Sequence, residues 1–198
     1  MITCNSIQRY HGLDFTSYLA LPQYSHSFLK SERSGFITPF AATDKMILGT
    51  LVDEILTGGS PNMNDKQYPQ AKAFAYFINK EFGWALKKLE KQVSITANMR
   101  LDTGQAVFEM PVKFRPDFSL PKLFVLDLKV TSDKDVDNNI RFMKYGNQQF
   151  GYGKGNECDK GYILIYSKPR KEAFLRPVVI ANNNSFWEEK LLKFGKVI

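Results

Sequence analysis

Residues 112 to 131 read VKFRPDFSLPKLFVLDLKVT. Leu123, Phe124, Val125, Leu126 and Leu128 form an apolar run of buried-strand character that ends in Asp127-Leu128-Lys129. Upstream, Pro116-Asp117 precedes a turn. Two carboxylates and an ammonium are thus set at the end of a hydrophobic element, where charge is costly unless it pairs, coordinates a metal or does chemistry. Two adjoining strands that each end in an Asp, with a Lys two residues past the second, form one acidic pocket with a cation beside it. The bland alternative, an exposed Asp–Lys pair, contributes only about 0–1 kcal/mol.

Outward from this stretch, 198 residues suit one α/β domain, long enough to bury a core without disulfide or metal staples. A hydrophobic content of 43% with 14% aromatics fits a folded globule and not a disordered chain. The formal net charge of +7 favours an anionic partner such as nucleic acid. Cys4 and Cys158 alone exclude a disulfide framework and a four-cysteine metal site, which points to a reducing, cytoplasmic setting. His11 and His26 fall short of a zinc site. No segment reaches the ~18 apolar residues of a membrane span, and MITCNSIQRYHG is not a signal peptide. The expectation is a soluble protein with no membrane partner.

The pattern along the chain predicts a short helix presented by a loop within 16–32 and an amphipathic helix over 44–56. The second has Ile47, Leu48, Leu51, Val52, Ile55 and Leu56 on its core side, Thr43 or Asp44 as cap and Gly58-Gly59 at its end. Helices at 66–81 and 84–91, broken near Gly83, precede strands at about 92–100, 105–110, 112–118 and 123–131. Asp102-Thr103-Gly104 signals a hairpin between the first two strands. A helix at 134–152, strands at 161–167 and 173–181, and a helix at 184–194 complete a mixed central β-sheet flanked by helices.

Pro116-Asp117 followed by Asp127-Leu128-Lys129 resembles the PD-(D/E)XK nuclease superfamily, in which two acids hold a divalent cation and the Lys addresses the attacking water. The helix at 134–152 holds a Q-x-x-x-Y, Gln148 to Tyr152, four residues apart and so on one face. This motif is similar to that of the RecB-like branch, particularly the RecE-like and lambda-type phage recombination exonucleases. Their G-x-x-x-H helix matches Gly49-Thr50-Leu51-Val52-Asp53, with Asp53 where the His would stand and Glu54 as its competitor. The opening YHGLDFTSYLALPQYSHSFLK is a looser likeness, and the whole runs from about Tyr10 to Tyr166.

The resemblance implies a single nuclease-like domain over 1–198 with a restriction-endonuclease-like core. It implies a metal-dependent DNA exonuclease of recombination or repair, phage-type, with Asp53, Asp117, Asp127 and the Leu128 carbonyl holding Mg²⁺ or Mn²⁺. Asp117, Asp127, Lys129, Gln148 and Tyr152 would be its catalytic residues, Lys129 as base or as charge stabiliser. DNA is the implied partner, with a homo-oligomeric ring and a single-strand annealing protein carried over from the family. Lys113, Arg115, Lys134, Arg141, Lys144 and Lys154 are candidates to track the DNA backbone. The alternatives are an endonuclease specific for DNA structure, an RNA-cleaving member of the fold, or a catalytically inactive nucleic-acid-binding module. The glycines at 146, 151 and 153 fit either a weakened helix or close approach to DNA.

Overall fold

Asp102-Thr103-Gly104 reverses the chain as its composition predicts. The Asp102 carboxylate accepts a hydrogen bond from the Gly104 N–H at 2.8 Å, and Gly104 takes a φ of 81°, a conformation open to glycine without steric cost. The turn joins β4 (Ser94–Asp102) to β5 (Val107–Phe114), antiparallel with Ile95 opposite Phe114. The computed structural model describes residues 1–31 and 44–198, the side chains of Ser31, Lys45 and Phe142 excepted. Thr43, one of the expected caps, and Glu32, the end of the first expected helical segment, lie outside the described residues.

One strand replaces the two expected on either side of Pro111. On its free side, β5 pairs with β10 (Lys196–Val197) through Phe108 and Glu109, and with the short β2 (Tyr24–Ser25) through Val112 and Lys113. Pro111 falls between these two pairings, where its missing N–H is not needed. β1 (Ile2–Tyr10) covers the other edge of β4.

The meander does not continue straight into the next strand. Arg115-Pro116 interrupts it, since proline cannot donate to a ladder, and β6 (Phe118–Leu120) begins a second sheet. Its order is β3 (Glu90–Lys91), β6, β7 (Phe124–Thr131), β8 (Lys160–Ser167), β9 (Glu172–Val179). β7 and β8 are parallel and the other pairings antiparallel. The mixed α/β architecture with helices on the sheets is therefore as expected, but divided into two sheets at Pro116.

The described residues on either side of 32–43 form α1 (Phe15–Ala20), α2 (His26–Ser31) and α3 (Asp44–Thr57). In α3, Leu48, Leu51 and Val52 are buried, and Ile47, Ile55 and Leu56 pack beside them. Each fully buried side chain of this size contributes about 1.5–3 kcal/mol. The helix stops where Gly58 and Gly59 both donate to the Glu54 carbonyl, at 3.0 and 2.8 Å. α4 (Tyr68–Leu86) runs through Gly83 without the expected break. A glycine costs about 1 kcal/mol in a helix interior, and buried Phe74, Ile78 and Leu86 on the same helix outweigh that.

The crossover from β7 to β8 is two helices in place of one, α5 (Val136–Phe142) and α6 (Tyr145–Gly155). The chain turns at Lys144, whose φ of 53° is left-handed and cannot continue a right-handed helix. α6 then persists through its glycines because neighbours occupy the space beside them. A Cβ on Gly151 would stand 2.6 Å from Trp187 and 2.8 Å from Phe114. These glycines serve packing within the protein. α7 (Ser185–Phe194) brings Trp187 and Leu191 into the same core.

Candidate active site

Alternation along β7 separates two environments. Leu126, Leu128 and Val130 join the core under α3 and α4, whereas Val125 joins the core under α6. Asp127 and Lys129, in phase with Val125, share its face. The β6–β7 register pairs Phe118 with Leu126, so its next step sets Asp117 opposite Asp127. The Asp117 carboxylate accepts the Leu128 N–H at 2.6 Å, which fixes the acid against the strand that carries its partner.

Around this pair opens a cavity of about 810 Å³. Asp53, Asp117, Asp127, Leu128, Lys129, Gln148 and Tyr152 all line it, and Glu54 does not. Asp127 is almost fully buried and forms an ion pair with the Lys129 ammonium, which also donates to the Leu128 carbonyl at 3.1 Å and lies 5.2 Å from the Tyr145 ring. From α6, the Gln148 amide donates to the Tyr152 phenol oxygen at 2.6 Å. The i, i+4 spacing read from the sequence is thus a direct contact.

The electrostatics follow from crowding three acids in a desolvated place. Burial and the charge of Asp127 push Asp53 up to about 7, against the pull of Lys129, Gln92 and Arg115. Burial, then Asp53 and Asp127, hold Asp117 well above the carboxylate range. Burial lowers Lys129, but Asp127 and Asp117 outweigh it and the ammonium is held above its ordinary value. Burial and the same two acids push Tyr152 well up, so its phenol keeps its proton.

Three contributors escaped the sequence reading or were given another role. Gln92, at a left-handed φ of 46°, donates through its side chain to Asp53 at 2.5 Å and accepts from Arg115 at 3.0 Å. Its backbone N–H also donates to the Asp117 carbonyl at 3.0 Å, so one residue braces two of the acids. Arg115 lines the cavity wall over the Phe15 and Tyr18 rings, at 5.6 and 5.8 Å. Tyr145 completes the α6 side. No local pattern marks Gln92, since its partners lie 23 and 39 positions away.

Lys113 leaves the group of backbone-tracking candidates. It is buried, and its ammonium donates to the carbonyls of Tyr18, Leu19 and Leu21 at 3.1, 2.8 and 2.7 Å, capping the end of α1. Lys134, Arg141 and Lys144 are exposed, and Lys154 lies 5.5 Å from the Phe150 ring. His26 packs on Phe186 and Trp187, centroids 4.9 and 6.0 Å apart, and burial pushes it down to about 4, so it is a neutral, half-buried packing residue.

The donor set fits a hard divalent cation. Three carboxylates and a carbonyl are all oxygen, and among the described residues Asp53 Oδ1 is buried with no hydrogen-bond partner. The acids are not closed on one point: among the described residues no three His, Cys, Asp or Glu side chains form a ready-made metal cage. Lys129 is the cation that neutralises Asp127 in this arrangement.

No family model and no curated protein matches the chain. Among solved structures, a candidate exonuclease from Eubacterium rectale superposes with a TM-score of 0.56 at 16% identity, covering 91% of this chain and 76% of its own. SSO0001 covers 85% of both chains at 14% identity with a TM-score of 0.39. The first likeness shows the fold: mixed sheets flanked by helices, as in that protein. Among the described residues, no helix is long and apolar enough to cross a membrane.

Proposed function

We propose that this chain is an Mg²⁺- or Mn²⁺-dependent deoxyribonuclease, working as an exonuclease in DNA recombination or repair of the phage type. The observation that carries this reading is the convergence of Asp53, Asp117 and Asp127 with Lys129 on one cavity, Asp117 tied by the Leu128 N–H to the strand that bears Asp127. The likeness of fold to a candidate exonuclease and the net charge of +7 support it.

Asp53, Asp117, Asp127 and the Leu128 carbonyl would hold the ion. Such an ion, when bound, polarises a phosphoryl oxygen and makes water more acidic. The remaining roles belong to the chain. Lys129 is held as a cation by its acidic neighbours, so it serves as a charge stabiliser for the phosphoryl oxygens and not as a base. Tyr152, protonated and already accepting from Gln148, has its hydroxyl hydrogen free to donate toward a phosphate oxygen. Arg115 adds a cation whose direction is set by Gln92.

The test is incubation of purified protein with Mg²⁺ or Mn²⁺ and end-labelled linear duplex, closed circular duplex and single-stranded DNA. Digestion confined to molecules with ends supports the reading. Nicking of circles transfers the site to an endonuclease, and intact DNA with either metal overturns the proposal.

A further inference from the structure

The outer face of α4 has no part in the cavity chemistry, yet its composition is unusual for a solvated surface. The helix buries Ala71, Phe74, Ala75, Ile78 and Leu86. On the opposite side stand Lys72, Tyr76, Lys80 and Trp84, four residues apart in succession, with Lys87 at the helix end. At 100° per residue these five fall within roughly a third of a turn. Tyr76 is 65% and Trp84 70% exposed, and Phe77 at the margin is 40% exposed. Single exposed aromatics are ordinary. Two rings interleaved with three ammonium groups on one stripe form a surface of alternating stacking platforms and cations.

We infer that this stripe binds single-stranded DNA, bases stacking on Tyr76 and Trp84 and phosphates pairing with Lys72, Lys80 and Lys87. Charge complementarity selects a polyanion, because the lysines outnumber the one acid within α4, Glu81 at the flank of the stripe. The rings select an unpaired strand, since a base must leave its duplex stack before it can lie on a side chain. Tyr76 and Trp84 are eight residues apart, about 12 Å along the axis. That exceeds the ~3.4 Å step of stacked bases in a duplex strand and suits bases splayed from one another. The inference rests on the chain being a DNA-hydrolysing enzyme, which leaves or receives single strands beside its site.

The chain supplies its own probe. Of its two tryptophans, Trp187 is fully buried and Trp84 is exposed, so a ligand on the stripe reports through Trp84 emission. The whole protein, free of divalent metal, is titrated with oligo(dT) of about 16 nucleotides, the upper end of single-strand site sizes, with oligo(U) and blunt duplex as further arms. Oligo(dT) should quench the emission, and Trp84→Phe should remove the quench. Tyr76→Ala and Trp84→Ala should each weaken binding, followed by anisotropy of labelled oligo(dT), on the order of tenfold. Lys72→Ala, Lys80→Ala and Lys87→Ala should each reduce the salt slope of the affinity by about 0.7. Unchanged emission, a quench that survives Trp84→Phe, preference for duplex or for oligo(U), or a change that follows self-association in sedimentation would overturn the inference. Quenching without cleavage under Mg²⁺ or Mn²⁺ removes the nuclease reading and leaves the stripe, whereas cleavage with a silent Trp84 removes the stripe alone.

Discussion

Asp117, one residue before β6, accepts the N–H of Leu128, which ties it to the strand bearing Asp127. Because that bond uses the Asp117 carboxylate and the backbone of β7, losing the charge of Asp127 leaves it in place.

Asp127→Asn should therefore abolish metal-dependent cleavage, a fall on the order of 10²–10³-fold or more, while circular dichroism stays that of the wild type. Cleavage at the wild-type rate would place the chemistry elsewhere.

Asp53 lines the cavity and Glu54 does not. Asp53→Ala should be close to inactive and Glu54→Ala should cut normally. Asp53→His should keep activity with a shift toward Mn²⁺, imidazole being the softer donor. The reverse ranking of the two alanine variants would rotate the functional face of α3 by roughly 100°.

Asp53 gains its proton at about 7 in the fold but near 3.8 as a free side chain. Between those pH values the folded protein holds a proton that the unfolded chain has released. The stability this group contributes is full below about 3.9, falls as pH rises to about 7, and is flat above. Asp53→Asn should then raise the Tm of metal-free protein at pH 8 and leave it little changed at pH 4; an equal gain at both pH values would contradict this. Affinity for Mn²⁺, by calorimetry, should drop by at least about tenfold per unit of acidification below 7, because binding must expel that proton and the one that burial holds on Asp117.

Gln92 donates to Asp53 and so favours its charged form. Gln92→Ala should move the lower limb of the pH–activity profile to more alkaline values. An unmoved limb would show that the contact is structural only.

Gly151→Ala should lower stability by about 1–3 kcal/mol through overpacking against Trp187 and Phe114. Gly49→Ala, in helix α3 with nothing within 4 Å, should be neutral or stabilising by up to about 1 kcal/mol. Thermal melts of both check the contrast.

The strand holding Asp127 and Lys129, the helix holding Asp53 and the contact between Gln148 and Tyr152 were legible because each is local: an apolar run, a 3.6-residue period, an i, i+4 pair. β1 was not legible. A bulge between Asn5 and Gln8, with Ser6 at a φ of 51°, changes the phase of its alternation midway. The break at Lys144 was hidden in the same way, since glycines nearby promised an interruption and a lysine supplied it. Gln92 depends on residues far along the chain, which no window of sequence joins.

β7 has a further consequence for how this protein can vary. Leu126, Leu128 and Val130 pack in the core under α3 and α4, and Leu128 and Val130 also border the cavity that Asp127 and Lys129 line. Substitutions along the strand therefore divide by whether the residue borders the cavity. Exchanges at 126, which does not line the cavity, tune the melting temperature while the reaction is untouched, and those at 127 or 129 change the reaction. A lineage can drift in thermal tolerance at a position such as Leu126 without retuning its chemistry.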